Sequence, residues 1–214
     1  MKYFSILMLS ICLAHIAAAQ NYPDAEFSNE VYYLKKDSVH TLMRLEKEST
    51  KMESKTKGAG FGGYESAYNI DGEKSAARIR RAPAISFVFS TGGSGAGVSN
   101  ALRDSMLRAN GVDPSAMGTG MGSMNDPANT ITLYKTDVSK GKRKIVMQKA
   151  GGAFSAKKLQ SSDKYTFSTR KIRDGYWELL VDKQLPAGEY AFSVMAMSAG
   201  NMDGSTTVYC FGVD

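Results

Sequence analysis

The chain has 214 residues, with 27 Lys and Arg against 21 Asp and Glu, 43% apolar residues, two cysteines and two histidines. That length makes one large domain or two small ones and buries a sizeable core without covalent staples. So few cysteines and histidines leave little for zinc or proton-shuttle chemistry, and the formal charge of +6 invites an anionic partner.

The first residues read as a secretory leader. Lys2 supplies the positive end, Phe4 to Ala14 form an apolar stretch broken only by Ser5 and Ser10, and Ala17-Ala18-Ala19 offers small residues for signal peptidase. Cleavage after Ala19 makes Gln20 the mature N-terminus and predicts an exported chain: periplasmic, outer-membrane associated or extracellular. The apolar stretch is too short to span a bilayer, so no transmembrane anchor is expected. Lipidation at Cys12 is disfavoured by the bulky Ile11 before it. Without residues 1–19, the charge falls to +5 (26 basic against 21 acidic) and Cys210 is the only cysteine left, so no intramolecular disulfide forms.

The mature chain then reads as short strands separated by turns. Val31 to Leu34, the turn Lys36-Asp37-Ser38 and Val39 to Leu45 predict an N-terminal hairpin. Glu46 to Lys57 is charged and weakly apolar, and Gly58 to Gly63 reads as a flexible connector, so residues 20–63 form a hairpin plus connector and 64–214 the main body. Tyr68-Asn69-Ile70 leads into Asp71-Gly72, a pair suited to a type I′ turn, with a return through Ser75 to Arg80. Ala84 to Ser90 follows, with Ile85, Phe87 and Phe89 on one face.

Residues 91–129 break the pattern and read as an insertion. Ser99 caps a short helix with Leu102, Met106 and Leu107 on one face, and a Gly- and Met-rich tail follows. Ile131 to Val138, the turn Ser139-Lys140-Gly141 and Lys144 to Gln148 predict another hairpin. Tyr165 to Ser168, Tyr176 to Val181, Tyr190 to Met197 and Thr206 to Val213 are further strands, the last two joined across Asp203-Gly204. About nine strands at this spacing argue for an all-β sandwich rather than βαβ units. Leu185 to Tyr190 resembles a tyrosine corner, which favours an immunoglobulin-like Greek-key β-sandwich with Trp177 available to fill the core.

The chemistry-bearing residues are sparse. Nucleophilic catalysis needs a histidine, and the mature chain has only His40, so a His40–Cys210 dyad is the single combination on offer. Cys210 shares a strand face with Val208 and Gly212 and reads as a small buried hydrophobe. No zinc or calcium ligand pattern appears. Met117, Met121, Met124, Met195, Met197 and Met202 raise Cu(I), but their spacing is loose. The Gly-rich run Thr91 to Gly97 lacks a phosphate-loop pattern, and no cofactor is expected. Glu178, Asp182 and Glu189 are candidates for a paired-carboxylate hydrolase, although nothing singles them out. Tyr32, Tyr33, Tyr64 and Tyr68 suit sugar stacking but equally suit strand packing.

Charge is the strongest remaining signal. Residues 135–174 hold 12 Lys or Arg against Asp137, Asp163 and Asp174, and Lys142, Arg143, Lys144, Lys157 and Lys158 mark a candidate binding band for an anionic glycan, lipopolysaccharide or acidic protein. Nucleic acid is not expected of an exported chain.

Four stretches carry a resemblance: Tyr68 to Ser75, Lys140 to Lys144, Pro186 to Phe192 and Tyr209 to Asp214. They resemble an uncharacterised family of small exported β-sandwich proteins of Gram-negative bacteria. The resemblance covers most of the mature chain outside 91–129 and implies fold and compartment, not a reaction. The expectation is a non-catalytic binding or assembly protein of the cell envelope, the alternative a carbohydrate-active hydrolase.

Overall fold

The computed structural model describes residues 22–56, 63–91, 108–109, 127–151, 159–194 and 205–214. The described chain is nearly all β, with helical residues at 108–109 and a helical turn at Pro127–Thr130. The leader, the 58–62 connector, nearly all of the 91–129 insertion and the Asp203-Gly204 turn lie outside the described residues.

Fourteen strands form two antiparallel sheets in a sandwich-like arrangement. They are β1 (Glu30–Lys36), β2 (His40–Arg44), β3 (Glu46–Thr56), β4 (Gly63–Asp71), β5 (Arg78–Ile79), β6 (Ser86–Ser90) and β7 (Ile131–Lys135). There follow β8 (Asp137–Ser139), β9 (Lys142–Gly151), β10 (Lys164–Tyr165), β11 (Phe167–Arg173), β12 (Tyr176–Val181), β13 (Gly188–Val194) and β14 (Ser205–Val213). The smaller sheet runs β11-β12-β6-β1-β2; the larger runs β10-β7-β13-β14-β3-β4-β9-β8, with β5 beside β14. Only Thr136 separates β7, next to the β10 edge of the larger sheet, from β8 at its other edge, so the sheet curls back on itself.

Period-two alternation sorts the side chains into three apolar clusters. Between the sheets lie Val31, Phe87, Phe89, Leu179, Val181, Tyr190, Phe192, Tyr209, Phe211 and Val213. The other faces of β13 and β14 point Ala191, Val208 and Cys210 into the curl of the larger sheet, against Ile70, Tyr134 and Ile145. On the outer face of the smaller sheet, Leu34, Val88 and Tyr176 make a third cluster with Leu42, Ile172, Tyr22 and Ala25.

The N-terminal hairpin forms as expected, with Tyr32 opposite Arg44 and Lys36 opposite His40. It is no appendage, because β1 also pairs with β6 inside the smaller sheet. The turn at Lys140 and Gly141 has positive φ at both residues (54° and 76°), the signature of a type I′ hairpin, and joins β8 to β9. The tyrosine corner is present: the Tyr190 hydroxyl donates to the Pro186 carbonyl at 2.7 Å.

Three expectations need correction. Asp71-Gly72 is not a hairpin: Gly72 has positive φ and Asp71 does not, so the type I′ geometry fails and the chain moves on to β5, which pairs in parallel with β14. Glu46 to Lys57, charged, weakly apolar and placed between the hairpin and the connector, holds an eleven-residue strand, Glu46–Thr56. Its first half pairs with β14 and its second half with β4, a ladder that needs backbone groups rather than apolar side chains. Trp177 does not fill the core. It is half-buried near the start of β12, with Lys171 Nζ 6.0 Å from its ring, while four other aromatic rings (Phe87, Phe192, Phe211, Tyr190) pack the centre.

Gly212 tests this packing. A Cβ there would stand 1.7 Å from Arg78 Nη1 and 2.8 Å from Glu189 Oε1, and Arg78 is held by both Glu189 and Asp214. Gly212→Ala is expected to destabilise the fold by about 2 kcal/mol, read as a lowered midpoint in urea unfolding.

Candidate functional site

Among the described residues, the members of the basic band do not share one surface. Arg143, on β9, is 1% exposed and points inward. Its Nη2 donates to Glu46 Oε1 at 2.7 Å and Nη1 to Glu46 Oε2 at 3.1 Å, while Nη2 and Nε also donate to the carbonyls of Asp71 and Gly72 at 2.9 and 3.2 Å. Arg143 therefore fastens β9, β3 and the segment after β4; it is a structural cation. Lys144 Nζ donates to Glu65 at 2.9 Å, and Lys142 Nζ lies 3.1 Å from Asp71 on the surface. Lys157 and Lys158 lie outside the described residues.

The network around Arg143 extends along one end of the larger sheet. Glu46 Oε2 also accepts from the backbone N–H of Ala76 at 2.9 Å, and Glu189 Oε2 accepts from that of Ser75 at 2.8 Å. The other oxygen of Glu189 pairs with Arg78, which also pairs with Asp214. Burial alone would raise the Glu46 carboxyl pKa, but Arg143 and its other donors hold it below the usual range. Removing one cation from such a network leaves a carboxylate without its counter-charge.

A second buried carboxylate sits on the outer face of the smaller sheet. Glu178 is 2% exposed. Arg170 donates to its Oε2 from Nε at 3.0 Å and from Nη2 at 2.5 Å, and the Tyr22 hydroxyl donates to the same oxygen at 3.0 Å. Oε1 makes no well-directed hydrogen bond, and Lys36 Nζ, 2.5 Å away, balances its charge. Burial pushes this carboxyl up, yet Lys36, Arg170 and Tyr22 prevail and hold it at about 2. Glu30 repeats the theme, held by Arg44 at 2.8 Å and Lys47 at 2.9 Å. These two pairs went unseen in the sequence; their only trace is acid on one strand and base on the next, which register alone brings together.

The other candidates are placed as follows. Glu178 and Glu189 belong to different sheets and different ion-pair clusters, and Asp182 is exposed and accepts from the Ser168 hydroxyl at 2.7 Å. His40 packs its ring 5.6 Å from Tyr22 on the outer face of the smaller sheet. Cys210 lies in the cluster on the far face of β14, fully buried, its thiol pushed up to about 12 by burial. The two are on opposite sides of the sandwich. Tyr32 is buried, Tyr33 packs on the main core, Tyr68 on the cluster inside the larger sheet, and Tyr64 is half-buried, its hydroxyl 3.5 Å from Ser54 Oγ; they form no shared platform. The six methionines weighed for copper and all of 92–97 lie outside the described residues. Among the described residues, no group of three His, Cys, Asp or Glu is placed to hold a metal, and no helix is long and apolar enough to cross a membrane.

Two predictions follow from the ion pairs. Arg143→Ala should cost about 3 kcal/mol in chemical unfolding, because Glu46 is left partly buried without a cation. Glu178 has a lowered pKa, so its stabilisation is full above the ordinary carboxylate range and is lost as pH falls towards 2. Glu178→Gln is expected to flatten the acid limb of a stability–pH profile between about pH 4.5 and 2. Comparison with protein-family models, with characterised proteins and with solved structures finds no match.

Proposed function

We propose that this chain is a non-catalytic binding or assembly protein, exported to the cell envelope by the leader that ends at Ala19. The observation that carries the reading is the use made of its ionisable groups. Glu30, Glu46, Glu178 and Glu189 are each tied to Arg or Lys, and the thiol of Cys210 is enclosed in apolar packing. Groups held in this way favour a fixed scaffold over proton transfer, which needs a pKa near working pH. The immunoglobulin-like form of the sandwich is part of the same reading and leans on the tyrosine corner.

The ligand class is anionic: a glycan, lipopolysaccharide or an acidic protein. With Arg143 turned inward, the proposal rests on Lys142, half-exposed on β9, and on Lys157 and Lys158 further along the sequence. Attraction of this kind weakens with salt. Immobilised lipopolysaccharide or heparin should retain the wild type at low ionic strength, and a Lys142/Lys157/Lys158→Ser variant should elute several-fold earlier with an unchanged unfolding midpoint. Equal retention of the two proteins removes the band from the function.

A further inference from the structure

The outer face of the smaller sheet is roofed by the chain's own N-terminal segment, residues 22–29. The roof has no ladder with the sheet beneath, since Tyr22 to Asn29 form no strand. It is held instead at points. The Tyr22 hydroxyl donates to Glu178, the Pro23 carbonyl accepts from the Tyr176 hydroxyl, and Asp24 pairs with Arg173. Ala25 rests on the apolar floor of Leu34, Val88 and Tyr176. The Phe27 N–H donates to the Tyr32 hydroxyl at 2.9 Å, and Arg44 covers the Phe27 ring at 4.4 Å.

Two features make this segment an arm rather than a layer. Its grip is modest: Phe27 is 41% exposed and the Asp24–Arg173 pair is largely solvated, a setting in which ion pairs contribute little. Its hinge is defined, because Asn29 takes a left-handed φ of 59° while its N–H and C=O are pinned by the Ser90 carbonyl at 2.5 Å and the Tyr209 hydroxyl at 2.6 Å. The body therefore ends firmly at Asn29. With cleavage after Ala19, the arm beyond that point is only nine residues.

We infer that the groove over Leu34, Val88 and Tyr176 is a docking site for this N-terminal arm, and that two copies of the chain associate by exchanging arms. The inference rests on the assembly half of the proposed function. The fit is already shown within one chain: Tyr22 matches the buried Glu178, and Asp24 matches Arg173. An arm from a second copy presents the same groups in the same order, so exchange makes an isologous pair in which every contact is made twice. The cis-bound arm is the competing occupant, which makes association dependent on concentration.

The experiment uses the mature chain from Gln20 and measures mass by native mass spectrometry and light scattering over a concentration series up to hundreds of micromolar. Exchange predicts a dimer that grows with concentration and dissociates on adding excess synthetic peptide of residues 20–29. A scrambled peptide should have no effect. Tyr22→Ala and Glu178→Gln each break the contact within their own chain, and mixing the two variants should give a heterodimer at least ten-fold more stable than either homodimer, because exchange restores one intact Tyr22–Glu178 pair. A protein that is monomeric throughout, or a dimer insensitive to peptide and without preference for the mixed pair, overturns the inference. Retention on immobilised lipopolysaccharide is read in parallel with and without the peptide. Loss of dimer with retention unchanged separates the arm from the anion-binding band, so either can fail alone.

Discussion

The fold depends on two strands that are buried on both faces. In β14, Tyr209, Phe211 and Val213 face the smaller sheet while Val208 and Cys210 face the curl of the larger one; β13 does the same with Tyr190 and Phe192 against Ala191. A strand with one wet face alternates apolar and polar residues; one buried on both sides cannot. These strands form the middle layer of the molecule, and both larger clusters are built against them. The chain has no disulfide among its described residues, and Cys210 is a free, buried thiol, so packing against this layer carries the fold.

The buried charges act on register. Arg143 joins β9 to β3 through Glu46, Arg78 joins β5 to β13 and to the residue after β14, and Arg170 joins β11 to β12 through Glu178. Each buried carboxylate is met by more than one donor. Ion-paired groups of this kind favour one pairing of strands, because a slip of one residue would leave a carboxylate buried without a cation.

Most of the strand map could be read in the sequence, since alternation and turn chemistry are local. Ile85, Phe87 and Phe89 announced β6, and Pro186 to Tyr190 announced the corner. What failed was non-local. Asp71-Gly72 and Lys140-Gly141 look alike as dipeptides, yet only the second has an adjacent partner strand that draws both residues to positive φ. β3 was hidden because its ladder is made by backbone groups while its side chains are mostly charged. Arg143 looked like part of a surface band because its neighbours are Lys142 and Lys144. In a strand that neighbourhood puts it on the opposite face, and the alternation that would have said so was read as a charge run.

The place of β14 bears on how such a chain reaches its native state. It is the last of the fourteen strands in sequence, yet it lies between β13 and β3, with β5 also leaning on it. The larger sheet therefore gains this strand only after the other thirteen described strands have been made, and the β14–β3 ladder joins residues more than 150 positions apart. Pairings so distant in sequence slow folding and leave strand edges unpaired until they form.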